Sequence, residues 1–517
     1  MTIEEMCNQV FFNLFIPEQC NESIKGKAQL KIIKLMQEMG IMDLGYYDVT
    51  RESEWILAEL TCKLNSIIKK RLDRLNILGV QECCIRIADV LSAFSFAIFE
   101  PDTISKNSKS LIDGINILSQ IFGEKPEGME LQEKIGILKE ALNLLYFETE
   151  SNIENNNCQN KTIEGFMDLL ELETSTILVY ELKKSLRISK NCVIHFEENP
   201  LHIYSEQLED VNKVLQKMLT VKEPLYDETA NEVMSLFREE KGFNDKSLFL
   251  LCNEFESNET VSLSLKDMKA LIKEKLCLNE KQLDFFVSIM FLNYKDKTHD
   301  EIIRNVNCGF FTTPFAMDVE GKVWLNKSNL YEAAKYLRRR VINEDIPLSK
   351  NIKNVIKEKI NEKKLPIIKK ELQIKGIKCF TNVDLAKDKV LKKLFYGIKN
   401  TPHEIDLYYV SNNVLKIYDL KNYLIPLSVK ESVIRIGNSI AKEATKLHNL
   451  NNILENNHKL IEERLNLHFN SIEYAILLTT DCYYADKNKD ISVIFVDDFL
   501  RMLRKKFDTK NESEKLT

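Results

Sequence analysis

Through residues 1 to about 310, apolar side chains recur at steps of three and four, the spacing that lines one face of an α-helix. The pattern predicts helices in KAQLKIIKLMQEMG (27–40), SEWILAELTCKLNSIIKKRLDRL (53–75) and the segments 81–100, 131–148, 162–186, 205–219 and 280–292. One short run, CVIHFEE (192–198), reads as a strand. The polar, Asn-rich SNIENNNCQN (151–160) reads as a loop that splits the region into two subdomains. Residues 309–342 predict a short β element turning at Glu320-Gly321, then a helix starting near Asn326 or Ser328. The arginines closing that helix, Arg338, Arg339 and Arg340, are read as complementing its C-terminal dipole rather than binding phosphate.

Beyond Pro347 the pattern changes. A helix over 353–375, broken at Pro366, leads to strands at 377–383, 404–410 and 414–421, a helix over 430–450, strands at 472–480 and 491–496, and a closing helix, DDFLRMLRKKF. The chain is therefore read as mostly α with a C-terminal α/β domain. Its parts are a helical region over 1–308, a β/helix connector over 309–350, and a domain over 351–510 with the order αβββαβ plus a trailing strand and helix. No fixed-period repeat marks a solenoid.

The centre of that domain is EIDLYYVSNNVLKIYDLKN (404–422). Two alternating strands flank Asn412-Asn413, a dipeptide suited to a two-residue hairpin loop. Such a loop pairs residues whose numbers sum to 825, which sets Asp406 opposite Asp419. Period-two alternation puts Lys421 on the same face as Asp419, and Glu404 on the same face as Asp406. Cross-strand Cβ atoms lie about 4.5 to 5.5 Å apart, so facing carboxylates destabilise the sheet unless something neutralises them. A divalent cation is the natural neutraliser.

Composition narrows the setting. Fifteen Gly and ten Pro in 517 residues favour long helices over a turn-rich β fold. Twelve cysteines without a C-x-x-C pair read as reduced core thiols. The first residues, MTIEEMCNQVFFNLF, carry acids where a signal peptide needs lysines, and no apolar run reaches the length of a membrane span. A soluble, cytoplasmic protein without a membrane partner is expected. The net charge of −6 is unevenly spread. Residues 351–517 carry 30 Lys+Arg against 22 Asp+Glu, and 351–402 alone carry 14 Lys against 5 acids. A basic segment beside a carboxylate site suits a polyanion such as nucleic acid; taken alone, it reads as a solvated face.

With Asp406 on the second strand and Asp419-Leu420-Lys421 at the end of the third, the last 150 or so residues resemble the PD-(D/E)XK, or restriction-endonuclease-like, nuclease superfamily. The usual Pro before the first acid is replaced by Glu404-Ile405-Asp406. The resemblance implies a Mg²⁺-dependent nuclease, with Mn²⁺ as a substitute, acting on nucleic acid with DNA mildly preferred over RNA. It implies Asp406, Asp419 and the carbonyl of Leu420 as metal ligands, and Lys421 as the group that orients or deprotonates the water and offsets phosphoryl charge. It also implies an acid from the first helix, with Glu362 favoured over Glu371, and a residue from the helix after the third strand, where Lys442, Lys446 and His448 are candidates. A bacterial restriction or phage-defence effector fits the arrangement, with the helical region regulating, forming homo-oligomers or recognising a protein partner. The competing reading is a non-catalytic nucleic-acid-binding or scaffold protein that keeps the fold.

Other residues and chemistries carry less. His403 at a strand start reads as a surface residue, and Glu404 as a weaker metal or water contact. Tyr408, Tyr409, Tyr418 and Tyr423 read as sheet packing before base stacking. His195 and His202 lack partners at ligand spacing. The chain contains no G-x-x-x-x-G-K-[ST], H-E-x-x-H or G-x-S-x-G motif.

Overall fold

A computed structural model describes residues 2–16, 20–40, 46–48, 51–99, 128–151, 162–188, 193–196, 201–204, 228–253, 260–294, 297–304, 309–358, 364–398, 401–421, 438–479 and 492–504. Its contacts divide the chain into two units, one of residues 1–206 with 234–347, the other of residues 207–233 with 348–517.

The first unit is mainly helical. Helices Ile24–Glu38, Arg51–Leu72, Ile77–Phe99, Gly128–Ser151 and Phe166–Ile188 occupy the segments where apolar residues recur at helical spacing. Their buried faces merge into one core that includes Ile32, Leu64, Phe94, Leu142 and Phe166. The segment 205–219 lies outside the described residues. The region over 1–308 is not all-helical. Strand Val193–Phe196 pairs antiparallel with both Tyr46–Asp48 and Leu201–Tyr204. Strand Thr260–Ser264 pairs with Lys322–Asn326, which also pairs with Ala316–Met317 across the turn at Gly321.

Helix Lys327–Ile342 begins after Asn326, whose side chain does not cap it. Asp89 supplies the cap from another helix, its Oδ1 accepting the Ser328 and Asn329 N–H groups at 2.9 and 3.2 Å. The three arginines at the far end are buried, not solvated at the dipole. Arg338 Nε donates to Asp245 Oδ2 at 2.8 Å, and Arg340 Nη1 to the carbonyls of Ile289 and Thr312 at 2.9 and 3.0 Å.

The second unit is built on a mixed five-stranded sheet. Its strands are β1 (Cys379–Asp384), β2 (Glu404–Ser411), β3 (Val414–Lys421), β4 (Ser471–Leu478) and β5 (Ser492–Phe495), in the spatial order β5-β4-β3-β2-β1. β1, β2 and β3 are antiparallel neighbours, while β4 is parallel to both β3 and β5. Helix α1 (Lys364–Ile374) precedes β1 and has Pro366 in its first turn, where proline's missing N–H costs least. Helices α2 (Asn438–Asn456) and α3 (His458–Leu465) fill the crossover from β3 to β4. Asn466, at φ +51°, ends α3.

Alternation divides the strands between two cores. Tyr408, Leu415 and Ile417 meet Ile440, Ala444, Leu447 and Leu450 of α2. Leu407, Tyr409 and Tyr418 instead meet Leu365, Ile368 and Leu372 of α1, with Phe499 and Leu500 of the helical segment 496–504. Helices therefore cover both faces of the sheet.

Candidate active site

The hairpin that carries the acids closes through Asn412 and Asn413, at φ +52° and +58°. Both occupy the left-handed region that a type I′ turn demands and that Asn tolerates best after Gly. Leu407 pairs with Tyr418 and Ser411 with Val414, the register implied by a two-residue loop. One step beyond Leu407 and Tyr418 come Asp406 and Asp419. They share the parity of Tyr408 and Ile417, which places both on the α2 side of the sheet. The two carboxylates lie close enough for each to shift the other's pKa. Asp406 Oδ2 also accepts the Leu420 backbone N–H at 2.7 Å, which locks the acid against the neighbouring strand.

Lys421 Nζ lies 2.9 Å from Asp419 Oδ2 and 3.2 Å from Glu443 Oε2. Glu443, on α2, holds Lys446 Nζ at 2.7 Å through its other oxygen. Three carboxylates and two ammonium groups thus form a continuous chain at one end of the sheet, with one negative charge unmatched when all are ionised. The site opens where β3 and β4 finish together, Lys421 pairing with Leu478.

Electrostatics follow from that crowding. Burial raises the pKa of Asp406, while the Leu420 N–H and the hydrogen bond with Asp419 pull it back. Asp419 is pushed up to about 7, first by burial and then by the Asp406 charge, against the pull of Lys421. Burial and mutual repulsion thus both favour protonation of the pair, and Lys421 opposes it. Burial lowers the pKa of Lys421, but Asp419, Glu443 and Asp406 together outweigh it and leave the ammonium above its ordinary value. For Glu443, burial acts upward, but Lys446 and Lys421 outweigh it and hold the carboxyl below its ordinary value.

The remaining predicted residues divide clearly. Glu362 and Tyr423 lie outside the described residues. Glu371 is bound at the surface by Arg504, Nη2 to Oε1 at 2.7 Å. Lys442 and His448 are exposed on α2, away from the sheet. His403 Nδ1 sits 3.0 Å from Asp384 Oδ1. Glu404 is exposed, and its charge adds to the upward push on Asp406. Tyr408 stacks on Phe380, and Tyr409 on Tyr418 with their hydroxyls 3.2 Å apart, so all four rings serve packing.

Glu443 is the residue that sequence reasoning missed. The signal was present: Ile440, Ala444, Leu447, Leu450 and Leu454 form the stripe of α2 that faces the sheet, and Glu443 sits at its edge. Lys446 joins the site only through Glu443.

Among the described residues, no three His, Cys, Asp or Glu side chains converge on a single metal position. Mg²⁺ does not require three, because it retains waters and binds through one or two carboxylates. Abutting carboxylates with a surplus negative charge fit such an ion in donor type and charge. Compared with known protein families, curated proteins and solved structures, the chain matches none.

Proposed function

We propose that the C-terminal unit is a Mg²⁺-dependent nuclease with the restriction-endonuclease-like core. The observation that carries this reading is the proximity of Asp406 and Asp419 beside Lys421, two facing acids that a divalent cation would neutralise and an ammonium placed to meet an anionic substrate. Two further features support it. The element order, helix, three antiparallel strands, helical crossover and parallel strand, is the one the resemblance implies. The segment 351–402, which precedes the hairpin in the chain, carries nine more lysines than acids.

Asp406 and Asp419 would hold the ion. When bound, it supplies a water of lowered pKa and polarises a phosphoryl oxygen. Lys421 remains an ammonium, since its neighbours hold its pKa up, so it acts as a positive charge beside the scissile phosphate and as a donor that orients the attacking water. Glu443 and Lys446 keep that ammonium at the rim of the site instead of folding it onto the sheet.

The test is cleavage of supercoiled plasmid, single-stranded DNA and RNA, with Mg²⁺ or EDTA, by the wild type and by Lys421→Ala. The proposal expects Mg²⁺-dependent cleavage that the substitution removes. Equal cleavage by both proteins overturns the site, and no cleavage of any substrate by either favours the non-catalytic scaffold.

A further inference from the structure

We infer that the segment 385–398, between β1 and β2, is a preformed docking element for single-stranded nucleic acid, with Tyr396 as its stacking residue. The inference rests on the nuclease reading for its purpose, but not for its geometry.

The segment leaves the sheet at the end that carries Asp406. Asp384 pairs with Glu404, and Leu385 N–H donates to the His403 carbonyl at 2.7 Å. Two short 3₁₀ turns follow, Leu385–Lys387 and Leu391–Phe395. Leu385 and Leu391 are buried in the core under α2, with Leu394 and Phe395 packed against it. Asp388 caps the second turn, accepting from Val390 and Leu391 N–H at 2.7 and 3.0 Å. The loop is thus tied down by its apolar residues and its one acid.

What remains outward is mainly basic and aromatic, with Ile398 at 44% as the exposed aliphatic residue. Lys387, Lys389, Lys392 and Lys393 are exposed, and so is Tyr396, at 68%. Tyr396 is not there by looseness. Its φ of −66° and ψ of 127°, with Gly397 at φ +77° and a hydrogen bond from Ile398 N–H to the Phe395 carbonyl at 3.3 Å, make residues 395–398 a type II turn. Such a turn sets the side chain of its second residue outward, and Gly at the third position accepts the left-handed backbone without strain. The turn is anchored at its base by the Phe395 ring, 6.2 Å from the imidazole of His403. From His403, three residues of extended strand lead to Asp406.

The occupant follows from chemistry. Four ammonium groups along a short loop match a phosphate chain. An exposed ring held on a rigid turn can stack on a base only where that base is unpaired, which selects a single strand over a duplex. An apolar protein partner would leave the lysines without purpose, and a duplex would leave Tyr396 without one.

Fluorescence anisotropy in EDTA separates binding from cleavage. The full chain is titrated into labelled dT20, U20 and a 20-base-pair DNA duplex at two salt concentrations, alongside Tyr396→Ala, Tyr396→Phe and the triple change Lys389→Gln, Lys392→Gln, Lys393→Gln. Expected are tighter binding of single strands than of duplex, a loss of about tenfold on single strands for Tyr396→Ala with little change on duplex, and recovery by Tyr396→Phe. The triple variant should weaken binding to every strand and flatten its salt dependence. Wild-type binding that is absent, or no tighter for single strands, or unaltered by Tyr396→Ala, overturns the inference. Cleavage that survives such a result leaves the nuclease standing without this docking element, while stacking-dependent binding without any cleavage leaves the docking element without the nuclease.

Discussion

Arg338 and Asp245 in the helical unit and Asp406 and Asp419 on the C-terminal sheet are both pairs of charged side chains withdrawn from water, and they are assembled on opposite principles. Arg338 and Asp245 are each 4% exposed, of opposite sign, and joined at 2.8 Å. A buried pair of that kind neutralises its own charge. Lys139 with Glu332, both nearly buried and 2.7 Å apart, repeats the arrangement. Asp406 and Asp419 are of like sign, share a strand end with Lys421, and sit where the sheet stops. Even Glu173, buried in the helical core beside Glu148, differs from them. Burial drives its pKa well up, with the Glu148 charge adding to the push, and it lies in the interior of the helical core and not at a sheet end. Matched charge in a core serves the fold, whereas unmatched charge at a sheet end is what the proposed nuclease reading would use to hold an ion.

The contrast is open to breaking, most forcefully at the rim. Lys421→Ala and Asp419→Asn should each lower Mg²⁺-dependent cleavage by about 10² to 10⁴-fold. Both should leave the far-UV circular dichroism close to wild type; without metal, Asp419→Asn should raise the urea midpoint above about pH 7 by removing one of two facing acids, whereas Lys421→Ala should lower it by removing the ammonium that offsets them. Arg338→Ala should do the reverse, costing about 3 to 5 kcal/mol in urea unfolding by leaving Asp245 buried without its partner. A marginal loss there would show that the two pairs are not so different.

A subtler separation comes from pH. Asp419 has a folded pKa of about 7 against an ordinary value of 3.8, so the folded state keeps a proton that the unfolded state releases. Without metal, stability should therefore fall, by up to a few kcal/mol, as pH rises from about 4 to about 7, and level off above. Asp419→Asn should abolish that slope, and Mg²⁺ should offset it in the wild type alone, as read from thermal melts across pH. The same proton competes with the ion, so cleavage should decline as pH drops below about 7. The smallest effect concerns the turn that sets the register. Asn413→Ala, at φ +58°, should cost about 1 kcal/mol in urea unfolding and leave the cleavage pattern unaltered.

Much of the hairpin was legible because its information is local. Asn412-Asn413 names its own turn, alternation assigns faces on either side, and Asp406 and Asp419 are only 13 positions apart. The strand at Thr260–Ser264 was not legible. Its five residues alternate too briefly to stand out, and its partner, Lys322–Asn326, lies some 60 positions on. Arg338, Arg339 and Arg340 stand at the helix end as read, but their burial was not legible, because Asp245 and the carbonyls of Ile289 and Thr312 come from distant positions in the chain. The helix read over 353–375 is two, Lys350–Ile356 and Lys364–Ile374, and Pro366 lies in the first turn of the second, where its missing N–H is tolerated, instead of breaking it.

The sequence by itself determined the hairpin, its register and the face on which two acids and a lysine emerge, since turn chemistry and a period of two act over a few residues. Only the tertiary structure decided how those groups are completed. Glu443 reaches Lys421 because the α2 stripe docks on the sheet, and a helix's rotation about its axis is settled by packing across the whole interface. The elevated pKa of Asp419 is likewise a property of the folded site, because desolvation arises only when strands, crossover helix and core close together.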